Sequence, residues 1–184
     1  MPEGAATPAP LLVWLHGAGG DAAGAVRLIE GPARRAGVPL LVPEARGATW
    51  DVIAGGYGPD VAFLDAALAR SFDVLAVDPG RVAIGGFSDG ASYALSLGLG
   101  NGDLFRAILA FSPGFAAPAR VVGTPAVFVS HGVADDVLPI GPCSRRIVPR
   151  LREAGYAVRY EEFEGGHFVP EDLAVAALGL LAPD

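Results

Sequence analysis

Lysine is absent from this chain, and all 13 of its basic residues are arginines. The absence excludes an enzyme that works through a Schiff-base lysine, and it excludes a Walker-type phosphate loop. The 20 acidic residues give a net charge of −7. A chain with this charge has little attraction for a phosphate backbone, so nucleic acid is not an expected partner.

Cysteine and long apolar runs are also scarce. The single cysteine, Cys143, cannot form an internal disulfide, which favours a reducing compartment. The first ten residues, MPEGAATPAP, lack the basic start and apolar stretch of a signal peptide, and no run approaches the length of a membrane span. We therefore expect a cytoplasmic protein that does not insert into membranes. The histidine and cysteine spacing suits no metal, and neither a metal nor a cofactor is predicted.

Short apolar runs alternate with helix-like stretches along the chain. The strand-like runs cover 11–15, 40–43, 81–85, 107–111, 126–130 and 157–161. The helix-like stretches cover 21–36, 60–72, 90–99, 141–154 and 171–181. This alternation predicts a doubly wound α/β domain whose mainly parallel sheet is buried on both faces. No linker interrupts the pattern, so residues 1–184 are predicted to form one domain, with 1–10 flexible or loosely packed.

Glycine, aspartate and histidine cluster where the predicted strands end. The segment LHGAGGD covers the end of the first strand, and GFSDG, with Ser88 at its centre, follows the third. HGVADDVLP and GGHFVP follow the fifth and sixth strands. Ligands bind at the carboxyl ends of the strands in such a sheet. GFSDG alone is compatible with an ordinary turn, but it is also typical of a nucleophilic serine held on a sharp turn.

The four motifs, in this order, resemble those of the α/β-hydrolases. The closest resemblance is to the small serine carboxylesterases grouped with acyl-protein thioesterases and lysophospholipases, and it runs from Leu11 to the end of the chain. It implies a minimal α/β-hydrolase fold of about six strands, without a cap domain and without the usual antiparallel strands at the start. It also implies hydrolysis of carboxylic esters or thioesters.

A serine nucleophile needs a general base and an acid that orients it. In this fold the order is serine, acid, histidine, and only His167 lies late enough to be the base. His16 and His131 are interpreted as structural histidines that brace their own loops. Asp135 and Asp136 both follow a strand on the correct side of the sheet. The family pattern HGxxDxxxP implies that Asp135 is the acid and Asp136 a turn residue.

The remaining site residues follow from the same resemblance. The backbone N–H groups of Ala18 and Asp89 are expected to form the oxyanion hole. The candidates for an acyl pocket have core packing as an equally good alternative; they are Trp50, Phe115, Leu138 and Phe168. The connection 112–125 is too short and irregular for a lid, which predicts short-acyl, soluble esters or thioesters as substrates. The oligomeric state stays open, a homodimer included.

Two other functions compete with ester hydrolysis. The segment GAGGDA, at 17–22, satisfies a dinucleotide-binding fingerprint, with Glu44 as the acidic residue after the second strand. A nicotinamide-dependent oxidoreductase would not explain Ser88, Asp135 and His167 together. A non-catalytic binding protein with the hydrolase fold is the other alternative.

Overall fold

Six parallel strands form one sheet in the computed structural model, which describes residues 8–182. The strands are β1 (Ala9–Leu15), β2 (Leu40–Leu41), β3 (Val77–Phe87), β4 (Ala107–Phe111), β5 (Ala126–Gly132) and β6 (Val158–Phe163). Their order across the sheet is β2-β1-β3-β4-β5-β6. Every pairing within the described residues is parallel. The carboxyl ends of all six strands therefore lie at one edge of the domain, where ligands bind in this architecture.

Five α-helices connect the strands or close the chain. They are α1 (Ala22–Ala36), α2 (Pro59–Val74), α3 (Asp89–Gly100), α4 (Ser144–Glu153) and α5 (Glu171–Leu178). Local signals account for their ends. Asp21 caps α1 by accepting a hydrogen bond from Gly24 N, and Gly37 ends the same helix in the left-handed conformation. Two 3₁₀ helices, Asp51–Ala54 and Gly179–Leu181, complete the described structure.

Each face of the sheet is covered by a different set of helices. One apolar cluster joins the sheet to α2, α3 and α4, and it includes Leu64, Leu95 and Val148. The other cluster joins it to α1 and α5, through Ile29 and Leu178 for example. All five residues of β4 are buried, as expected for a central strand covered on both faces. The predicted α/β-hydrolase-type architecture is confirmed.

The structure corrects two details of the sequence prediction. Ala9 and Pro10 are not loosely packed, because they open β1 and the Ala9 N–H donates to the carbonyl of Ala76. The rest of the predicted loose segment, 1–7, lies outside the described residues. The 3₁₀ helix Asp51–Ala54 was not predicted from the sequence. As predicted, the connection 112–125 contains no helix.

The two margins of the sheet are short or charged. At one margin β2 has only two residues. At the other margin β6 carries a salt bridge between Arg159 and Glu161, and Glu162 pairs with Arg145 of α4 at 2.7 Å. The hydrogen bond from Arg145 lowers the pKa of Glu162 to about 2, so this pair is ionised at neutral pH.

Candidate active site

Ser88 lies at the sharp turn between β3 and α3. Its backbone has φ 59° and ψ −121°, a conformation that costs a non-glycine residue free energy. The turn is fixed by neighbouring strands, because Ser88 N–H donates to the carbonyl of Phe111 at the end of β4. The predicted position of Ser88 on a strained turn, after a strand and before a helix, matches the structure.

Glycines flank the serine because the chain approaches itself closely there. A Cβ added to Gly90 would lie 2.3 Å from the carbonyl oxygen of Leu15, and one added to Gly86 would lie 2.6 Å from backbone atoms of Gly90. Backbone atoms cannot yield as a flexible side chain can. The start of α3 is therefore packed directly against the end of β1. This close packing explains why glycines flank the Ser88 hydroxyl.

His167 and Asp135 form the main polar contact of the site. Asp135 follows β5, and its Oδ2 lies 2.6 Å from Nδ1 of His167, which follows β6. A side-chain exposure of 13% leaves His167 accessible to a ligand, whereas that of Asp135 is fully buried. The imidazole ring lies 4.5 Å from the ring of Phe87, the residue before Ser88. The three predicted triad residues thus come from the ends of three strands of the sheet.

The surroundings of the Asp135 carboxylate favour its ionised form. Burial alone would raise its pKa, but the hydrogen bond from His167 and two backbone N–H donors outweigh burial, and the pKa is lowered. The backbone donors are Val137 and Leu138, which bind Oδ1 at 3.0 and 2.8 Å. Asp136 is exposed and lies in the turn. The contact with His167 is thus made by Asp135, the residue implied by the family pattern.

His131 supports the loop after β5 that carries Asp135. Its ring is fully buried, and Nε2 lies 2.7 Å from the carbonyl oxygen of Leu138 and 3.2 Å from Oδ2 of Asp135. Both groups accept, so Nε2 carries the proton and Nδ1 accepts from the Ser144 hydroxyl at 2.7 Å. Burial lowers the pKa of His131 and keeps it neutral. The structural role predicted for this histidine agrees with these contacts.

His16 supports the loop after β1. Its Nδ1 donates to the carbonyl of Gly17, and its Nε2 accepts from Ala45 N–H. The ring packs at 4.8 Å from that of Trp50, which in turn stacks on Tyr93 of α3. The prediction that Trp50 lines a pocket is wrong. Trp50 is fully buried and its indole N–H donates to the carbonyl of His16, so it supports the loop from inside.

Two backbone N–H groups remain free near Ser88. In the described part of the chain, neither Ala18 N–H nor Asp89 N–H donates a hydrogen bond. Asp89 opens α3, whose N-terminal dipole favours negative charge. Its side chain is held by Thr49, whose hydroxyl donates to Oδ2 at 2.7 Å. The Ser88 hydroxyl likewise makes no hydrogen bond within residues 8–182. The hydrogen bond between a nucleophile and its general base commonly tightens only when substrate is bound.

Depressions lie on two sides of these loops. One, of about 530 Å³, is lined by Ala18, Arg27, Leu28 and Phe87 among others. The other, of about 410 Å³, contains Phe115 and begins beside Gly114, where a Cβ would be 3.5 Å from the Leu138 side chain. Phe115 thus lines an open space, and Leu138 lies next to Gly114 at its edge. Phe168 is 47% exposed and packs edge-on against Phe163, on the outer surface.

The N-terminus of α1 argues against the dinucleotide-binding interpretation. Asp21 accepts from Gly24 N–H, and Glu44 accepts from Ala22 N–H. A pyrophosphate at this helix would need these N–H groups and would meet two carboxylates. Among the described residues, no group of three His, Cys, Asp or Glu side chains is placed to hold a metal ion.

The fold and the arrangement of the site define an α/β-hydrolase. The model of the phospholipase/carboxylesterase family matches residues 61–173, more than half of the chain. The chain belongs to the phospholipase/carboxylesterase family. The family predicted from the motifs is thereby confirmed.

Relatives and solved structures agree with this membership. A probable feruloyl esterase C of Aspergillus flavus is 32% identical over 101 residues, which cover 54% of this chain and 36% of the relative. This chain therefore spans well under half of that protein's length. The crystal structure of esterase PE8 is 28% identical, covers 95% of both chains and has a TM-score of 0.75. An S-formylglutathione hydrolase of Staphylococcus aureus, at 14% identity, shares the fold with a TM-score of 0.80, over 98% of this chain and 84% of its own.

Within residues 8–182, every helix is too short or too polar to pass through a lipid bilayer.

Proposed function

We propose that this protein is a serine hydrolase that cleaves carboxylic esters or thioesters through Ser88, His167 and Asp135. The observation that carries the proposal is the 2.6 Å contact between His167 Nδ1 and Asp135, beside a serine on a strained turn. Such a contact fixes the histidine tautomer with its proton on Nδ1, which leaves Nε2 free to accept a proton. Membership of the phospholipase/carboxylesterase family supports the same chemistry.

In the proposed reaction, His167 Nε2 takes the proton of the Ser88 hydroxyl as Oγ attacks the carbonyl carbon. The buried Asp135 carboxylate stabilises the imidazolium that forms. The N–H groups of Ala18 and Asp89 bind the developing oxyanion. His167 then protonates the leaving alcohol or thiol, and an acyl-enzyme on Ser88 remains. Water, deprotonated by His167, releases the acid and restores the serine.

The substrate class is proposed from the open surroundings of the site. The connection 112–125, where a lid would be inserted, has no helix, and the nearby depressions are open to solvent. Each CH₂ group left unburied forgoes about 0.8 kcal/mol of binding. Short-acyl, water-soluble esters or thioesters are therefore the proposed substrates. The name of the Aspergillus flavus relative adds methyl ferulate as a test substrate.

A fluorophosphonate probe tests the proposed nucleophile. The purified protein should gain the mass of one adduct, located on Ser88 by peptide mapping, and should hydrolyse p-nitrophenyl acetate. Ser88→Ala should remove labelling and reduce kcat by several orders of magnitude. The control is Ser71→Ala, since the Ser71 hydroxyl only bonds the Ala67 carbonyl within α2. A folded Ser88→Ala variant that keeps most activity would refute the mechanism.

The oxidoreductase alternative is separated from the proposal by the same protein sample. A dinucleotide-binding protein should quench its tryptophan fluorescence on titration with a nicotinamide dinucleotide and should remain unlabelled by the fluorophosphonate. A non-catalytic binding protein should show neither quenching by the dinucleotide nor labelling by the fluorophosphonate. The capped N-terminus of α1 leads us to expect no dinucleotide binding.

A further inference from the structure

The loop that carries the Ala18 N–H has little rigidity of its own. Three glycines surround Ala18 in the segment 17–20, and residues 18–20 are exposed. Glycine leaves the backbone more conformational freedom than any other residue. A Cβ added to Gly90 would lie 2.5 Å from the carbonyl oxygen of His16, so α3 packs against the start of this loop. The part that carries Ala18 needs another support.

Residues 45–51 lie beside this loop and hold its first residue on two sides. Ala45 N–H donates to Nε2 of His16 at 3.0 Å. The indole N–H of Trp50 donates to the carbonyl of His16 at 2.8 Å. Both the side chain and the backbone of His16 are therefore fixed by one short stretch of chain. We call residues 45–51 the brace segment.

The middle of the brace segment contacts both halves of the predicted oxyanion hole. The carbonyl of Ala48 accepts a hydrogen bond at 2.9 Å from the N–H of Gly19, the residue directly after Ala18. The hydroxyl of Thr49 donates to Oδ2 of Asp89 at 2.7 Å. Two adjacent residues thus connect the loop after β1 to the residue that opens α3.

A buried carboxylate anchors both ends of the brace segment. Asp60 is only 2% exposed and lies in the first turn of α2. Its Oδ1 accepts from Arg46 N–H at 2.6 Å, and its Oδ2 accepts from Asp51 N–H at 2.7 Å. An ionised aspartate suits this place because both of its oxygens accept hydrogen bonds. The helix that carries Asp60 is itself packed into the core through Leu64.

We propose that the brace segment sets the distance between the Ala18 and Asp89 N–H groups, with Thr49 and Asp60 as positioning residues for catalysis. This inference rests on the proposed ester hydrolysis at Ser88. Donors that are already aimed at the developing oxyanion stabilise the transition state without reorganising as the charge appears. Thr49 and Asp60 act through these N–H groups and not on the reacting atoms.

Two substitutions of Thr49 test the connection to Asp89. Thr49→Val replaces the hydroxyl by a methyl group of similar size. It should lower kcat for p-nitrophenyl acetate by about 10- to 100-fold, somewhat less than the loss of about 10²–10³ when a donor is removed outright. KM should hardly change, because the donors act on the charge of the transition state. Thr49→Ser keeps the hydroxyl and should keep kcat close to that of the wild type.

Either of two results with Thr49 would overturn the proposal. One is a Thr49→Val variant with the wild-type kcat. The other is a Thr49→Ser variant that loses as much activity as Thr49→Val, since the loss would then not come from the hydrogen bond.

Asp60→Asn tests the anchor, because an amide has only one oxygen to accept from the two backbone N–H groups. It should also lower kcat. In Thr49→Val/Asp60→Asn the two losses should not multiply, since both act through one segment. The control is Leu68→Ala, a cavity in the same helix that should lower Tm and leave kcat unchanged.

Losses that multiply in the double variant, or an equal loss of kcat in Leu68→Ala, would refute the positioning role. If Asp60→Asn does not fold, the two variants of Thr49 decide the question, because that side chain is half-buried and makes no core contact of this kind.

Amide hydrogen exchange measures the brace segment without any reaction. The Gly19 N–H should exchange about 10-fold faster or more in Asp60→Asn than in the wild type, because its acceptor Ala48 is no longer held in place. Leu68→Ala should leave that rate unchanged. If the wild-type protein hydrolyses no ester, the proposed function fails, and this exchange rate alone decides whether the segment holds the loop. An unchanged rate in Asp60→Asn would overturn the proposal.

Discussion

Replacing Ser88 by glycine should make the protein more stable as it abolishes activity. The reason is the backbone of Ser88, whose φ of 59° and ψ of −121° suit glycine but strain a residue with a Cβ. Gly17 passes close to the Ser88 Cβ, since a Cβ added to Gly17 would lie 3.3 Å from it. Ser88→Ala keeps the Cβ and the strain, so the comparison between the two variants isolates the backbone term.

The magnitude follows from two opposing contributions. Strain at a residue held in such a conformation is about 1–3 kcal/mol. Glycine lowers the free energy of unfolding by about 0.5–1 kcal/mol, because it has more conformational freedom in the unfolded chain. At the middle of both ranges, Ser88→Gly should therefore exceed Ser88→Ala by about 1 kcal/mol in free energy of unfolding. At about 2–4 °C per kcal/mol for a chain of this size, Tm should rise by about 2–4 °C.

Differential scanning calorimetry of both variants provides the measurement, with urea unfolding as a check that both unfold in two states. The control is the same pair of substitutions at Ser96, which is buried within α3 and has ordinary helical geometry. There glycine should be less stable than alanine by about 1 kcal/mol. If Ser88→Gly is no more stable than Ser88→Ala, the turn stores no strain and the reasoning is refuted.

Three further predictions concern the acid, the buried histidine and the substrate. Asp135→Asn should reduce kcat by roughly 10⁴ by favouring the wrong tautomer of His167, whereas Asp136→Asn should cost far less; steady-state kinetics showing equal losses would contradict the assignment. Because burial lowers the pKa of His131 below its ordinary 6.5, the unfolded chain binds the extra proton, and the free energy of unfolding should fall as pH drops below 6.5. Urea titrations from pH 7.5 to 5 test this, and His131→Gln should weaken the dependence. Across p-nitrophenyl esters of fatty acids, kcat/KM should stop rising before about eight carbons, and a continued rise would reveal a long apolar channel.

The strand ends could be predicted because parallel strands leave an unusually clear signal. Apolar runs buried on both faces end abruptly at glycine-rich motifs, and the runs at Ala107–Phe111 and Ala126–Gly132 start at the predicted residues. The order of the motifs along the chain was then enough to predict that Ser88, Asp135 and His167 lie at one edge of the sheet. No contact between them had to be known.

The surroundings of the site could not be predicted in the same way. Trp50 is an aromatic residue in a loop, and nothing in its neighbours distinguishes a pocket wall from a buried support. Its burial depends on stacking with Tyr93, far away in the chain, and Tyr93 is held by Asp51 at 2.9 Å. Such contacts arise from tertiary packing. Likewise, the choice between Asp135 and Asp136 depends on how the loop after β5 turns, which adjacent identical residues do not reveal.

The margins of the sheet bear on how copies of this chain can associate. An exposed strand edge invites another chain to add a strand, and such contacts lead to open-ended aggregates as readily as to dimers. Here β2 is too short to serve as a template, and an incoming strand at β6 would lie beside the charged pairs Arg159–Glu161 and Arg145–Glu162, which disfavour apolar edge pairing. Any homodimer should therefore form through helix surfaces. The sheet should not extend from one copy into another, even at the high concentrations at which an enzyme is stored or crystallised.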